Sequence, residues 1–194
     1  AGGALSSAFI PVFTSLMTTG KKKEAWELFS TVFCVMTVVV SAFIIAGEIF
    51  TEPLVRLVNP GFAAIPGKLE ATIPLTRIVL PAQICFFMGG ILMGSQQSLG
   101  KFFIPAMGPV IYNLGIILGG LLLGHTLGMQ GLCWGVVGGA VIGNFGLQWH
   151  AVRKLGMEFK PNFNARHPEA IKVWKLMLPV ILGVALPQVS IWIN

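Results

Sequence analysis

Arg77 is the residue whose type and setting best suit it to meet an anion. It lies in IPLTRIVLPAQICFFMGGILMG, Ile73–Gly94, and is the only formal charge placed clearly within an apolar run, one helical turn from the nearer end. A guanidinium at bilayer depth costs at least about 2.5 kcal/mol, so it must face protein, water or a headgroup. Two readings stay open: the side chain snorkels to the interface, or it lines a polar cavity and binds an anionic group. Ser6, Ser7, Asn113, Asn144, Gln188, Ser190 and Asn194 are polar groups in or beside other apolar runs. They suit interhelical hydrogen bonds worth roughly 0.6 kcal/mol each, or a wet cavity. Enzyme chemistry has no visible carrier: there is no Ser/His/Asp set, carboxylate pair, phosphate loop or HExxH. His125, His150 and His167 fall at the ends of runs, where solvation is expected. Cys34, Cys85 and Cys133 sit inside apolar runs without metal-ligand spacing, which reads as buried thiols with neither disulfide nor metal.

Membrane-spanning helices must position these groups. The chain has 194 residues, 55% of them hydrophobic and 10% charged, whereas a soluble domain carries about 25% charged residues. Its mean hydropathy is +0.82. This is the composition of an all-α polytopic membrane protein. The net charge of +6 does not point to nucleic acid, because the basic residues form no stripe with interleaved aromatics. As a helix Ile73–Gly94 is about 33 Å long, enough for a hydrocarbon core of about 30 Å. Phe29–Ile45, Phe102–Gly124, Met129–His150 and Val173–Asn194 read as further spans. Ala1–Leu16 is too short to span unless earlier residues continue it, and the last run stops at Asn194, so a fragment of a longer chain is expected. LVRLVNPGF predicts a short amphipathic turn on the membrane, broken at Asn59-Pro60-Gly61. Ser95–Lys101 and Arg153–Lys154 read as polar ends of spans, and His125–Gly128 as a tight turn.

The charges orient this threading. Lys21, Lys22, Lys23, Lys101, Arg153, Lys154, Lys160, Arg166, Lys172 and Lys175 fall in one set of loops, while the other set holds only Arg56 and Lys68. That bias makes the loops at 20–25, 95–101 and 153–172 cytoplasmic, with spans alternating from the first fragment inward. Glycine pairs four apart, Gly90/Gly94, Gly115/Gly119, Gly120/Gly124, Gly135/Gly139 and Gly139/Gly143, let helix backbones approach closely. Pro11, Pro81, Pro105, Pro109, Pro179 and Pro187 each remove a helix hydrogen bond and can kink a span. Kinked helices favour a transporter over a pure scaffold.

These segments resemble a family. AGGALSSAFIPVFTSL is similar to the second-helix motif AEGAxSxAFxPxF of the MurJ/MviN lipid II flippases, LVRLVNPGF to their PGF segment, and LTRIVLP to the entry of their fourth helix. PAMGPVIYNLGII is similar to PAxxPxxxN of the fifth helix, and KLMLPVILGVALPQVSIWIN to the opening of the seventh. The order is preserved along the whole chain. The resemblance implies a helical bundle of the MOP exporter superfamily. Residues 1–154 would be the first lobe from a partial second helix to the sixth, 155–168 a cytoplasmic inter-lobe linker, and 169–194 the start of the seventh helix in the second lobe. It implies a bacterial inner-membrane protein that moves lipid II, the undecaprenyl-pyrophosphate-linked peptidoglycan precursor, to the outer leaflet by alternating access. The family uses no cofactor, couples flipping to membrane potential or an ion, and suggests cell-wall synthesis enzymes as partners alongside membrane lipids. A flippase for another polyprenyl-linked oligosaccharide, a multidrug exporter, or a non-transporting scaffold is the alternative. By motif, Ser6, Ser7 and Pro11 on the second helix and Gln188 and Ser190 on the seventh lie nearest the cavity, and Arg77 and Asn113 match motif positions. Gly2 stands where the family has Glu, and Pro187 where it has a small polar residue.

Overall fold

The structure, a computed structural model, describes residues 2–193, with side chains for 5–62 and 65–179. Helix α1, Gly2–Thr18, buries Leu5, Ala8, Phe9, Val12, Phe13 and Leu16, and that i, i+3, i+4 spacing makes one apolar face. Ser7, Pro11, Ser15 and Thr18 form an exposed stripe on the same helix. Gly20, with φ 79°, turns the chain into α2, Lys22–Ile49. A short α3, Thr51–Val58, carries an Arg56–Glu52 ion pair at 2.8 Å and exposes Leu54 and Leu57. It is the amphipathic element expected there, and it ends at Asn59 before a 3-10 turn, Pro60–Ala64.

Then come α4, Lys68–Val79, α5, Ala82–Ser98, and α6, Phe103–Leu127. Next are α7, Met129–Gly139, a π-helical segment, Ala140–Gly146, and α8, Leu147–Lys154. Residues 155–167 are non-helical and lead to α9, Pro168–Ile193. Among the described residues all regular structure is helical. Three stretches there are long and apolar enough to cross a membrane: Lys22–Ile49, Lys68–Ser98 and Phe103–Leu127.

Several expectations change. The span drawn as Ile73–Gly94 begins at Lys68 and is broken at Leu80–Pro81. Pro81 has no N–H for the carbonyl of Arg77, and the next bonds are short-range, Gln83 N–H to Leu80 O at 3.1 Å and Ile84 N–H to Pro81 O at 3.2 Å. Arg77 is consequently more than two turns into α4, not one turn into a span. Pro11, Pro74 and Pro109 lie inside helices that continue past them. Ser95 and Gln96 are not a solvated end: both are buried within α5. The turn expected at His125–Gly128 shrinks to Gly128, with φ 56°, because α6 continues through Leu127. The helix expected from Met129 runs on to Lys154, with a π segment at Ala140–Gly146. Cys34 and Cys85 are buried, but Cys133 is only half-buried, and all are free thiols. His125 and His150 are exposed; His167 is half-buried, and its Nδ1 has no hydrogen-bond partner among the described residues.

The chain forms two compact units, one of Ala1–Thr37, Phe87–Pro105 and Gln148–Asn194, the other of Val38–Phe86 and Ala106–Leu147. In the first, α1 packs on α5 and α9. The Ser6 hydroxyl donates to Gly90 O at 3.0 Å, and Gly94 leaves room for Phe9 and Ile10. Rings of Phe9, Phe13, Trp26, Phe29 and Phe33 run in series, adjacent centroids 5.0–5.6 Å apart except for a 6.5 Å link between Phe9 and Phe29. In the second unit α6 and α7 meet backbone to backbone. A Cβ on Gly119 would lie 2.5 Å from the Gly135 Cα, and one on Gly115 2.6 Å from the Gly139 Cα. Gly120 faces Leu132 of α7, while a Cβ on Gly124 would meet nothing within 4 Å, so only the first of the Gly120/Gly124 pair has its Cβ side on a partner helix. Ala82, Cys85 and Ala140 form a small buried cluster flanked by Phe86 and Tyr112.

Candidate functional site

A groove of about 400 Å³ runs between α1 and α9 in the first unit. It follows from the two-sidedness of α1. Once the Leu5–Leu16 face is buried, the stripe one helix face away carries the polar groups, and Pro11, Ser15 and Thr19 border the groove. On the other wall α9 turns Ala170 and Val173 inward, both fully buried, which leaves Glu169 and Lys172 on the groove side. Lys21 and the edges of Val12 and Leu16 complete the lining, so the groove is polar on one side and apolar on the other.

The groove carries two ammonium groups, each paired with a carboxylate. Lys172 Nζ lies 2.8 and 3.0 Å from the two Glu169 carboxylate oxygens, and Lys21 Nζ lies 3.1 Å from Glu24 Oε2. The exposed Lys21–Glu24 pair is worth about 0–1 kcal/mol, so an incoming phosphate oxygen can replace that carboxylate at little cost, whereas the Glu169 side chain is only 19% exposed and holds Lys172 more firmly. The Thr18 and Thr19 hydroxyls donate to carbonyls one turn back along α1. The usable donors are therefore the ammonium groups.

The described residues expected to line one cavity are distributed over both compact units. Ser6 is half-buried and turned to α5, whereas Ser7 and Pro11 are on the exposed stripe of α1. Arg77 belongs to the second unit; its side chain is exposed, and no carboxylate among the described residues pairs with it. Asn113, also in the second unit, is exposed and donates from Nδ2 to the Pro109 carbonyl at 2.9 Å, within its own helix. The side chains of Gln188, Ser190 and Asn194 lie outside the described residues, as does that of Pro187. Asn144 is buried in the π segment, and its Nδ2 has no partner among the described residues.

Sequence reasoning missed the groove residues Ser15, Thr19, Lys21, Glu169 and Lys172. The signal was present for the first of them, since stepping four residues from Ser7 through Pro11 reaches Ser15. It also missed a buried amide pair. Gln96 Nε2 donates to Gln148 Oε1 at 2.7 Å, and Gln148 Nε2 donates to Ile104 O at 3.0 Å. Both glutamines are almost fully buried, so this pair fixes α5 against α8. No local pattern links residues 52 positions apart.

Apolar helices of membrane-crossing length, with polar groups gathered between packed helices, define a polytopic α-helical membrane protein. Within that class the chain belongs to the family described as lipid II flippase MurJ, which it matches over residues 1–194. A probable lipid II flippase MurJ of Buchnera aphidicola subsp. Acyrthosiphon pisum is 27% identical over 194 residues, 99% of this chain and 38% of the relative. One from Rhizobium meliloti is 27% identical, covering all of this chain and 37% of the relative. A solved structure, "Lipid II flippase MurJ, inward closed conformation", superposes with a TM-score of 0.72 at 20% identity, over 92% of this chain and 37% of that one. That likeness establishes the fold. The chain thus spans little more than a third of the length of these relatives.

Proposed function

We propose that this chain forms part of a flippase that moves lipid II from the cytoplasmic to the outer leaflet in cell-wall biogenesis. The packing of α1 on α9 around a lysine-bearing groove supports the reading best. It joins the helix that carries AGGALSSAFIPVF to the one that carries KLMLPVILG, the two segments that by motif border the substrate cavity. A pyrophosphate-sugar headgroup cannot cross hydrocarbon unaided, because its charges would go unpaired. A path between helices with ammonium groups at one end supplies partners while the polyprenyl tail stays in lipid. Loops at 20–25, 95–101 and 153–172 face the cytoplasm in this proposal, where the substrate is made, and the membrane of residence is the bacterial inner membrane. Transport is not enzymatic and draws on membrane potential or an ion. Cell-wall synthesis enzymes are the proposed neighbours.

The test uses cells whose only flippase comes from the complete gene encoding this chain. Lipid II arrival at the outer leaflet is read by the accessibility of its headgroup to an external cleaving enzyme. Restored arrival, with normal growth and shape, is the expected result. Insertion into the membrane with the headgroup still protected would overturn the reading, leaving another polyprenyl-linked substrate, an exported drug or a scaffold role.

A further inference from the structure

The segment between α8 and α9 is held at two places, and the holds belong to different helices. Phe159 inserts its ring among Phe29, Phe33 and Trp149, with centroids 6.4, 5.6 and 5.4 Å away and interplanar angles of 79, 78 and 73°. Beside it the Lys160 N–H donates to Ser30 Oγ at 3.1 Å, and Ser30 Oγ in turn donates to the Trp26 carbonyl at 2.9 Å. Ser30 and Phe29 are fully buried. This end of the segment is thus set into α2 and α8 by three edge-on ring contacts and a hydrogen bond.

The second hold is on α9. Trp174 Nε1 donates to the Ala165 carbonyl at 3.1 Å, and the Ile171 N–H donates to the His167 carbonyl at 3.0 Å. Between the holds are Pro161, Asn162, Phe163 and Asn164. The described hydrogen bonds here are local and reach no other helix: Asn164 N–H to Asn162 Oδ1 at 3.0 Å, Ala165 N–H to Phe163 O at 2.9 Å and Arg166 N–H to Asn164 Oδ1 at 3.2 Å; Phe163 is 64% exposed.

We propose that Phe159 is a positioning residue which pins the start of this segment to α2 and α8, so that any swing of α9 is taken up at Pro161–Asn164. Proline fixes φ near −65°, which leaves the torsions of Asn162 and Phe163 as the principal freedom. Eight residues separate Phe159 from Pro168, the first residue of α9, and several of them are committed to one hold or the other. A helix hung on so short a free tether can tilt against α1 without carrying α8 along. The transport readout below rests on the flippase reading; the distance readout does not.

The experiment uses the complete protein with its native cysteines replaced by alanine and spin labels in two pairs, at positions 22 and 158 and at positions 158 and 175, in lipid with and without lipid II. The expected result is a narrow, unchanging distance for the first pair and a distance that shifts with lipid II for the second. Phe159→Ala should broaden the first distribution and lower transport by about two- to thirty-fold, the range over which residues between mobile elements alter coupling. Phe159→Trp should restore both. A Ser30→Cys/Lys160→Cys disulfide in the Phe159→Ala background should also restore both when oxidised and lose both on reduction. The proposal falls if Phe159→Ala keeps a narrow first distribution, if the first pair moves as far as the second, or if the disulfide narrows the distribution without recovering transport. If the unaltered protein does not move lipid II at all, the flippase reading fails, and the effect of Phe159→Ala on the first distribution still decides the pin.

Discussion

At the scale of single residues, a buried amide makes the sharpest prediction. Gln148 serves Gln96 through its oxygen and Ile104 through its nitrogen. Gln148→Leu leaves the Gln96 amide with only its 3.3 Å bond to the Leu92 carbonyl and takes the side-chain donor from the Ile104 carbonyl, and should cost about 1–3 kcal/mol of stability. Adding Gln96→Leu should recover part of it, because the Gln96 amide is then removed and only the Ile104 carbonyl still lacks its side-chain donor. Thermal unfolding in detergent of the two single variants and the double variant measures this coupling, and additive losses would count against the pair. Arg77 makes a different prediction. Its side chain is exposed on α4 with no carboxylate pairing it among the described residues, a setting in which a long cation reaches the interface. Arg77→Lys and Arg77→Ala should therefore support equal transport. A loss confined to alanine would assign Arg77 to an anion instead.

At the scale of elements, the glycine hairpin of α6 and α7 separates contact from mere spacing. Gly119 and Gly138 are both helical glycines, but a Cβ on Gly119 would meet the Gly135 backbone, while one on Gly138 meets nothing within 4 Å. Gly119→Ala should force the helices apart and cost about 1–3 kcal/mol, as overpacking does. Gly138→Ala should be neutral or slightly stabilising, because alanine is the better helix former. Equal melting temperatures for the two would refute the close approach. The same elements show how far a pattern can be read. Four-residue spacing marked Gly115, Gly119, Gly135 and Gly139 correctly, yet it marked Gly120 and Gly124 with equal strength, and Gly124 faces open space. Spacing states that a face is smooth; the partner helix decides whether anything lies on it. Pro81 was legible as a break and still fell inside one expected span, because hydropathy runs unbroken through Leu80 and Pro81 while the hydrogen bonds do not.

For the whole molecule, the charge asymmetry makes a topological prediction. In a cysteine-free background, Phe163→Cys should react with a membrane-impermeant thiol reagent only after the cytoplasmic side is opened, and Ile65→Cys in intact cells. Both positions are exposed, so failure to react cannot be blamed on burial. Reversed labelling would invert the orientation inferred from the lysines and arginines. The groove between α1 and α9 adds a consequence for transport: Lys21→Ala with Lys172→Ala should lower lipid II arrival at the outer leaflet more than either change alone.

Much of this architecture was determined by the sequence alone, and the reason lies in the solvent. In hydrocarbon a chain must satisfy its own backbone polar groups, so long apolar runs become helices whatever surrounds them. The side on which α1 is buried follows from the period of its apolar residues, and the predicted orientation follows from the uneven placement of lysine and arginine. Tertiary structure decided the rest. Gln96 meets Gln148, Phe159 enters the rings of α2 and α8, and Ala140–Gly146 adopts the π form, each through contacts between positions far apart in the chain or through a hydrogen-bond register that composition does not encode. The candidate groove belongs to that second group. One wall is written in α1, but Glu169 and Lys172 join it only because Ala170 and Val173 are buried.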